Sequence, residues 1–239
     1  SHNYPQRNQA QTPQQILLGV LIMFFALCLS FSFHEFMHAF VASWLGDDTA
    51  KNQGRVTLNP ISHVDPVGAA MLLLFGIGWG KPVPFNSNYL SRFKNKRLMC
   101  ILVYLAGVTG NFILALISSI VYSIAGVMFL KGNGNEALFS LVYIFYYISE
   151  FSLGLLAFNL IPVPPLDGFH VLEELLPYRT RYSDGYRSFL AYAPRVLLIL
   201  VVLGSFLNIP VLDYIITVIE IPFRLIINLI DMGILSLFL

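Results

Sequence analysis

Five apolar stretches, each long enough to cross a lipid bilayer, constrain this chain more than any other feature of its sequence. They run from Gln15 to Phe33, Leu98 to Leu130, Leu138 to Pro162, Phe189 to Leu207 and Val211 to Leu239. A helix needs about 20 residues to span the hydrocarbon core. In that medium only a helix or a closed barrel satisfies its own backbone hydrogen bonds. The last stretch is punctuated by Asp213, Glu220, Arg224 and Asp231. Only 11% of the residues are charged and 56% are hydrophobic, whereas a soluble domain keeps roughly a quarter of its residues charged. The expected class is therefore an all-α polytopic membrane protein, with the lipid bilayer as its first partner.

Other function classes drop out quickly. A net charge of +1, with no basic cluster interleaved with aromatics, gives no footing for nucleic acid. Cys28 and Cys100 both lie in apolar segments, where thiols pack as small hydrophobes. They imply neither a disulfide framework nor a cysteine zinc site. Residues 1–14 form a polar, Gln/Asn-rich tail, and the first apolar run is too long for a cleavable signal peptide.

Between the first two long runs the character changes. Glycines, prolines and polar residues fill the stretch from Asp47 to Arg97. Within it, Gly54 to Pro60 alternates and holds β-branched residues, which predicts a short strand. Val67 to Trp79 is apolar but only thirteen residues long, short for a full crossing. Lys81, Arg92, Lys94, Lys96 and Arg97 crowd the connection that follows, whereas the next one holds only Lys131 and Glu136. Positive charge gathers on the cytoplasmic side, so residues 47–66 and 81–97 are placed inside and 131–137 outside.

At the end of the first span stands His34-Glu35-Phe36-Met37-His38, an HExxH pattern. Positions i and i+4 share a helix face, so both imidazoles can reach one ion. Glu35 sits beside them, placed to take a proton from water, as in the zinc hydrolases. Charged groups at membrane depth cost roughly 2.5–3.5 kcal/mol each at the centre of the bilayer, which argues for partners and a task. A catalytic zinc takes a third protein ligand and keeps an open position. His63, Asp65, Asp167 and His170 are the candidates. Asp167 follows a span in Asn159-Leu160-Ile161-Pro162-Val163-Pro164-Pro165-Leu166-Asp167-Gly168, where prolines stop the helix and Gly168 permits a tight turn. Spacing alone leaves that carboxylate open between a ligand and a solvated loop residue.

HExxH in a membrane helix, followed by NxxPxPPLDG after a later span, resembles the site-2 protease family of intramembrane zinc metalloproteases. The specific likeness is to its small members without a PDZ or CBS domain. It covers Phe33 to about His170, including Arg55 to Gly68, Gly80-Lys81-Pro82-Val83-Pro84 and Leu105 to Asn111. The family usually has proline where Val108 stands. The resemblance implies one zinc per chain held by His34, His38 and Asp167, with Glu35 as general base. It also implies that Asn159 steadies the substrate or the oxyanion, while Asn111 matches a family position of less settled role. Residues 15–170 would then form a catalytic membrane core of three helices with a short β or re-entrant insertion. Residues 171–188 would be a cytoplasmic loop and 189–239 further membrane helices.

Membrane parity tests that ligand set independently. If Val67 to Trp79 crossed fully, Asp167 would emerge a membrane thickness away from His34. If the segment dips in and returns, the next two spans deliver Asp167 to the same face as the HExxH motif. The shortness of the segment favours the return, with residues 54–79 packed beside the site and the strand available to pair with an unwound substrate. The expected activity is hydrolysis of peptide bonds within or next to transmembrane segments of protein or peptide substrates, near the cytoplasmic side of the cell membrane. Two other functions use the same residues: a catalytically inactive, protease-like scaffold, and an ion-translocating protein with a His/Glu/Asp relay.

Overall fold

The computed structural model describes residues 12–75, 78–133, 135–181, 183–207 and 210–238. Most of the polar tail, residues 1–11, lies outside that range. Nine α-helices are found among the described residues: α1 (Pro13–Trp44), α2 (Thr49–Asn52), α3 (Pro66–Phe75), α4 (Lys96–Met128), α5 (Glu136–Leu160), α6 (Asp167–Leu175), α7 (Tyr178–Arg181), α8 (Asp184–Leu207) and α9 (Val211–Phe238). Five of them, α1, α4, α5, α8 and α9, are long and apolar enough to cross a membrane. Their outward faces carry large apolar side chains, such as Leu17, Phe24, Leu198, Leu229 and Met232. Exposed apolar surface on that scale is tolerated in lipid and not in water. The protein is a multi-pass membrane protein.

Local chemistry sets the helix ends. Thr12 and Gln15 form a reciprocal capping box, with Pro13 in the first turn of α1. Asn95 and Asn135 cap α4 and α5 by accepting the amides of Leu98 and Leu138. α1 stops at Gly46, whose φ of +109° suits glycine. Prolines after Leu160 end α5, and the chain turns through Val163 N–H on Ile161 O before α6 begins at Asp167.

Helices α1, α4 and α5 pack against one another, and α9 lies across α4 and α5. Hydroxyls tie the first three together. Ser152 donates to Ser30 at 2.9 Å, Ser30 to the Ile148 carbonyl at 3.3 Å, and Ser149 to the Ala115 carbonyl at 3.1 Å. Polar ties of this kind replace the hydrophobic drive that helices lack inside lipid. α9 turns its charged stripe inward. Arg224 holds Glu150 of α5 through two bonds of 3.0 and 2.9 Å and Glu220 through its Nε at 2.6 Å. Asp231 accepts from Ser119, Tyr122 and Ser123 of α4. Residues 171–188 contain the end of α6, α7 and the start of α8, so this connection is largely helical.

The strand expected over Gly54–Pro60 does not form. Among the described residues the β structure is a single antiparallel bridge between Val64 and Gly80. A strand needs a neighbouring edge, and here the polar groups are used locally instead. Arg55 N–H donates to the Ala50 carbonyl, Thr57 Oγ accepts Asn59 N–H, and Asn59 Oδ1 caps a 3₁₀ turn at Ile61. The ends of the following segment do meet. Besides the bridge, Lys81 N–H donates to the His63 carbonyl at 2.8 Å. α3 is ten residues long, about 15 Å at 1.5 Å per residue, half the thickness of a hydrocarbon core.

Candidate metal centre

His34 and His38 project from one face of α1, and Asp167 opens the first turn of α6. Asp167 Oδ2 lies 3.2 Å from His34 Nε2 and 3.2 Å from His38 Nε2, and the two Nε2 atoms are 3.0 Å apart. These three form a potential metal-binding group among the described residues, joined across 129 residues of chain. The group is closed from behind by α4. A Cβ on Gly107 would stand 2.4 Å from His38 Nε2 and 2.5 Å from His34 Cε1. Only a residue without a side chain lets the α4 backbone come this close.

The ring tautomers follow from their outer partners. His38 Nδ1 lies 2.8 Å from the Val103 carbonyl, which can only accept, so this nitrogen carries the proton and Nε2 offers its lone pair inward. His34 Nδ1 is 3.4 Å from the Asn111 amide, a fully buried group whose Oδ1 has no other partner. Turning that amide over gives His34 Nδ1–H an acceptor and relieves the orphaned oxygen, a choice that shape alone does not fix. His34 Nε2 then also points its lone pair at the centre.

With each ring's proton on Nδ1, three lone pairs converge, and Asp167 Oδ2 is a buried acceptor without a hydrogen-bond donor. A cation is what such a group lacks. The 3.0–3.2 Å edges match zinc with ligand bonds of about 2.0–2.1 Å, since a tetrahedron of that size has edges of about 3.3 Å. Its place in the first turn of α6 favours the charged form of Asp167. Gly168 sets that position, because a Cβ there would meet the Leu160 carbonyl oxygen at 2.3 Å.

Glu35 is buried on α1, and its Oε2 accepts the Val83 backbone N–H at 3.1 Å. The other sequence candidates lie elsewhere. His63 uses both ring nitrogens, on the Thr57 carbonyl and on Arg55. Asp65 accepts the Gly68 amide. His170 stacks on Tyr104 with centroids 4.9 Å apart. Asn159 donates its side-chain amide to the Leu155 carbonyl, one turn back on its own helix. Three contributions had no signature in the sequence reading: the Val103 carbonyl, the Val83 amide and the gap at Gly107. The first two are backbone groups. The third was visible only as a small residue in the Leu105–Asn111 stretch.

Comparison with known proteins agrees with this chemistry. The profile of Peptidase family M50 matches residues 121–202, which include Asp167 and lie downstream of the α1 histidines. Curated relatives carry the name "Putative zinc metalloprotease". YwhC of Bacillus subtilis is 40% identical over 189 residues, covering 78% of this chain and 84% of its own. Rip2 of Mycolicibacterium smegmatis is 29% identical over 174 residues, and Rip2 of Mycobacterium tuberculosis is 32% identical over 169. The chain spans 61% of the length of either Rip2. No solved structure gives a match.

Proposed function

This chain belongs to the site-2 proteases, peptidase family M50, a family of zinc metalloproteases, and on that premise we propose that it hydrolyses peptide bonds within or beside the transmembrane segments of other membrane proteins. The observation that carries the reading is the meeting of His34, His38 and Asp167 beside a buried Glu35 at the end of a membrane helix. Zinc in this set supplies a Lewis acid that polarises a carbonyl and makes water nucleophilic near neutral pH. His34, His38 and Asp167 would hold it. Glu35 takes the proton from the attacking water and passes it to the leaving amine. Val83 N–H engages Oε2 of Glu35, which leaves Oε1 free for that proton. Asn159 steadies the substrate carbonyl after its amide leaves Leu155.

Helical peptide bonds are shielded by their own hydrogen bonds, so the substrate must unwind locally, and helix-breaking residues near the cleavage point favour it. The pairing of Val64 with Gly80 and of His63 with Lys81 supports a reading in which both flanks of α3 lie at the same face of the membrane. Arg92, Lys94, Lys96 and Arg97 flank that face, which supports a site near the cytoplasmic side.

Metal content and cleavage of a membrane-embedded peptide test this together. Wild type is expected to carry about one zinc per chain, lost from both His34→Ala and Asp167→Ala. Glu35→Gln is expected to keep zinc and lose hydrolysis. Zinc retained by Asp167→Ala would sink the ligand set. Cleavage retained by Glu35→Gln would remove the base.

A further inference from the structure

Arg55 is a charged side chain in an expensive place. It is only 4% exposed, and no carboxylate lies within ion-pair distance among the described residues. Its Nη2 donates to the Lys81 carbonyl at 2.6 Å and to His63 Nδ1 at 3.3 Å, while Nε and Nη1 have no partner. A buried charge held only by neutral groups weakens a fold rather than strengthening it. Its use must lie in what it holds.

Together with His63 it holds one residue, Lys81, by both of its backbone groups. His63 is neutral here. Its Nε2–H donates to the Thr57 carbonyl at 2.9 Å and its Nδ1 accepts from Arg55. The His63 carbonyl takes Lys81 N–H at 2.8 Å, and Arg55 takes the Lys81 carbonyl. Two residues on, Val83 N–H donates to Glu35. Pro82 and Pro84 bracket Val83, so their φ angles are fixed and the residues before them are held extended. A stiff segment of that kind transmits the position of Lys81 to Val83 with little slack. Asp47 anchors the far end by accepting Asn86 N–H at 2.5 Å.

We propose that Arg55 is a positioning residue for hydrolysis: it clamps the strap of residues 80–86 so that Val83 N–H holds the Glu35 carboxylate in its working orientation. The assignment rests on Glu35 being the base. Without Arg55 the strap moves, Oε2 is released and the carboxylate rotates, while His34, His38 and Asp167 keep their places.

Hydrogen exchange over residues 80–86, zinc per chain, and kcat and KM on a quenched transmembrane peptide with a Gly-Pro break are measured together for wild type, Arg55→Met, Arg55→Lys, Val83→Pro and the Arg55→Met/Val83→Pro pair. Val83→Pro removes the amide while keeping the extended backbone. Arg55→Met is expected to expose the strap amides, hold one zinc and lose roughly 100-fold in kcat, the loss that a displacement of about 1 Å gives, with KM within about twofold. Arg55→Lys keeps a donor to the Lys81 carbonyl and is expected within about tenfold of wild type. The double variant is expected to be no slower than Val83→Pro alone, because both act through one bond. Unchanged exchange in Arg55→Met overturns the proposal, as do additive losses in the double variant. If Arg55→Met does not fold, the clamp is judged on Arg55→Lys and Val83→Pro, and full kcat in Val83→Pro overturns it. A zinc-loaded wild type that cleaves nothing overturns the protease reading and the clamp with it, an outcome distinct from a cleaving wild type whose Val83→Pro variant is equally fast.

Discussion

At the scale of single residues, the centre depends as much on an absent side chain as on the ligands present. The added methyl of Gly107→Ala would press on His38 Nε2 and the His34 ring, both fixed by α1 and by Val103. Displacing groups that orient metal ligands typically weakens metal affinity about 10–100-fold. We expect that loss for Gly107→Ala, measured by zinc competition with a chelator. Gly110→Ala is the matched comparison. Its Cβ would meet Met37 Cγ at 2.4 Å and Met37 Cβ at 3.1 Å, so that side chain must rotate and α1 give slightly, but neither histidine ring is among the atoms it meets. Zinc affinity is expected to be unchanged there, and equal losses at both glycines would show helix disturbance rather than contact with the ligands. The grouping of the histidines with Asp167 was anticipated in the sequence, from the HExxH spacing for the first two and from the family resemblance for Asp167. The groups that fix their rings were not, since the Val103 carbonyl and the Val83 amide are carried by every residue type.

Helices were legible for a physical reason as well. A membrane leaves the backbone few choices, so apolar length alone predicted α1, α4, α5, α8 and α9 to within a few residues at most ends. α1 runs further than its apolar core and carries the HExxH motif on a continuous helix to Trp44. The misread strand at Gly54–Pro60 lies outside the spans, where alternation competes with Asx and hydroxyl turns that satisfy the same backbone groups. Asp167, the proposed third ligand, depends on a junction between elements. In Gly168→Ala the new methyl has only the rigid Leu160 backbone to push against, so α6 must shift and carry Asp167 away from the histidines. Weaker zinc binding with normal helix content is the expected result, read by metal titration and circular dichroism. The α9 clasp answers to stability instead. Arg224→Met leaves Glu150 and Glu220 facing each other without their cation, and thermal unfolding in detergent should move down by roughly 2–4 °C per kcal/mol lost. Adding Glu150→Gln and Glu220→Gln should recover part of that shift. A midpoint that stays put in Arg224→Met would mean that the helices hold without the clasp.

The whole molecule is bound by parity. α1 carries His34 and His38 in its last three turns, before its end at Trp44, and α6 begins at Asp167, while α4 and α5 run antiparallel between them and connect through residues 129–133. The end of α1, the start of α4 and the start of α6 are therefore expected at one face, with the α4–α5 connection at the other. The basic residues from Arg92 to Arg97 lie on the first face, against Lys131 on the second, so the first is expected to be cytoplasmic. Single cysteines at three exposed positions, Asn88, Arg179 and Lys131, placed in a background with Cys28 and Cys100 replaced by serine, read this directly. A membrane-impermeant maleimide added to intact cells should label Lys131→Cys alone, and all three after permeabilisation. Labelling of Asn88→Cys and Arg179→Cys but not Lys131→Cys would invert the orientation and leave the zinc site intact on the outer face. Labelling that separates Asn88→Cys from Arg179→Cys would be the more damaging result. Residues 65–79 would then have to cross the membrane, and Asp167 could not reach the α1 histidines in any one chain.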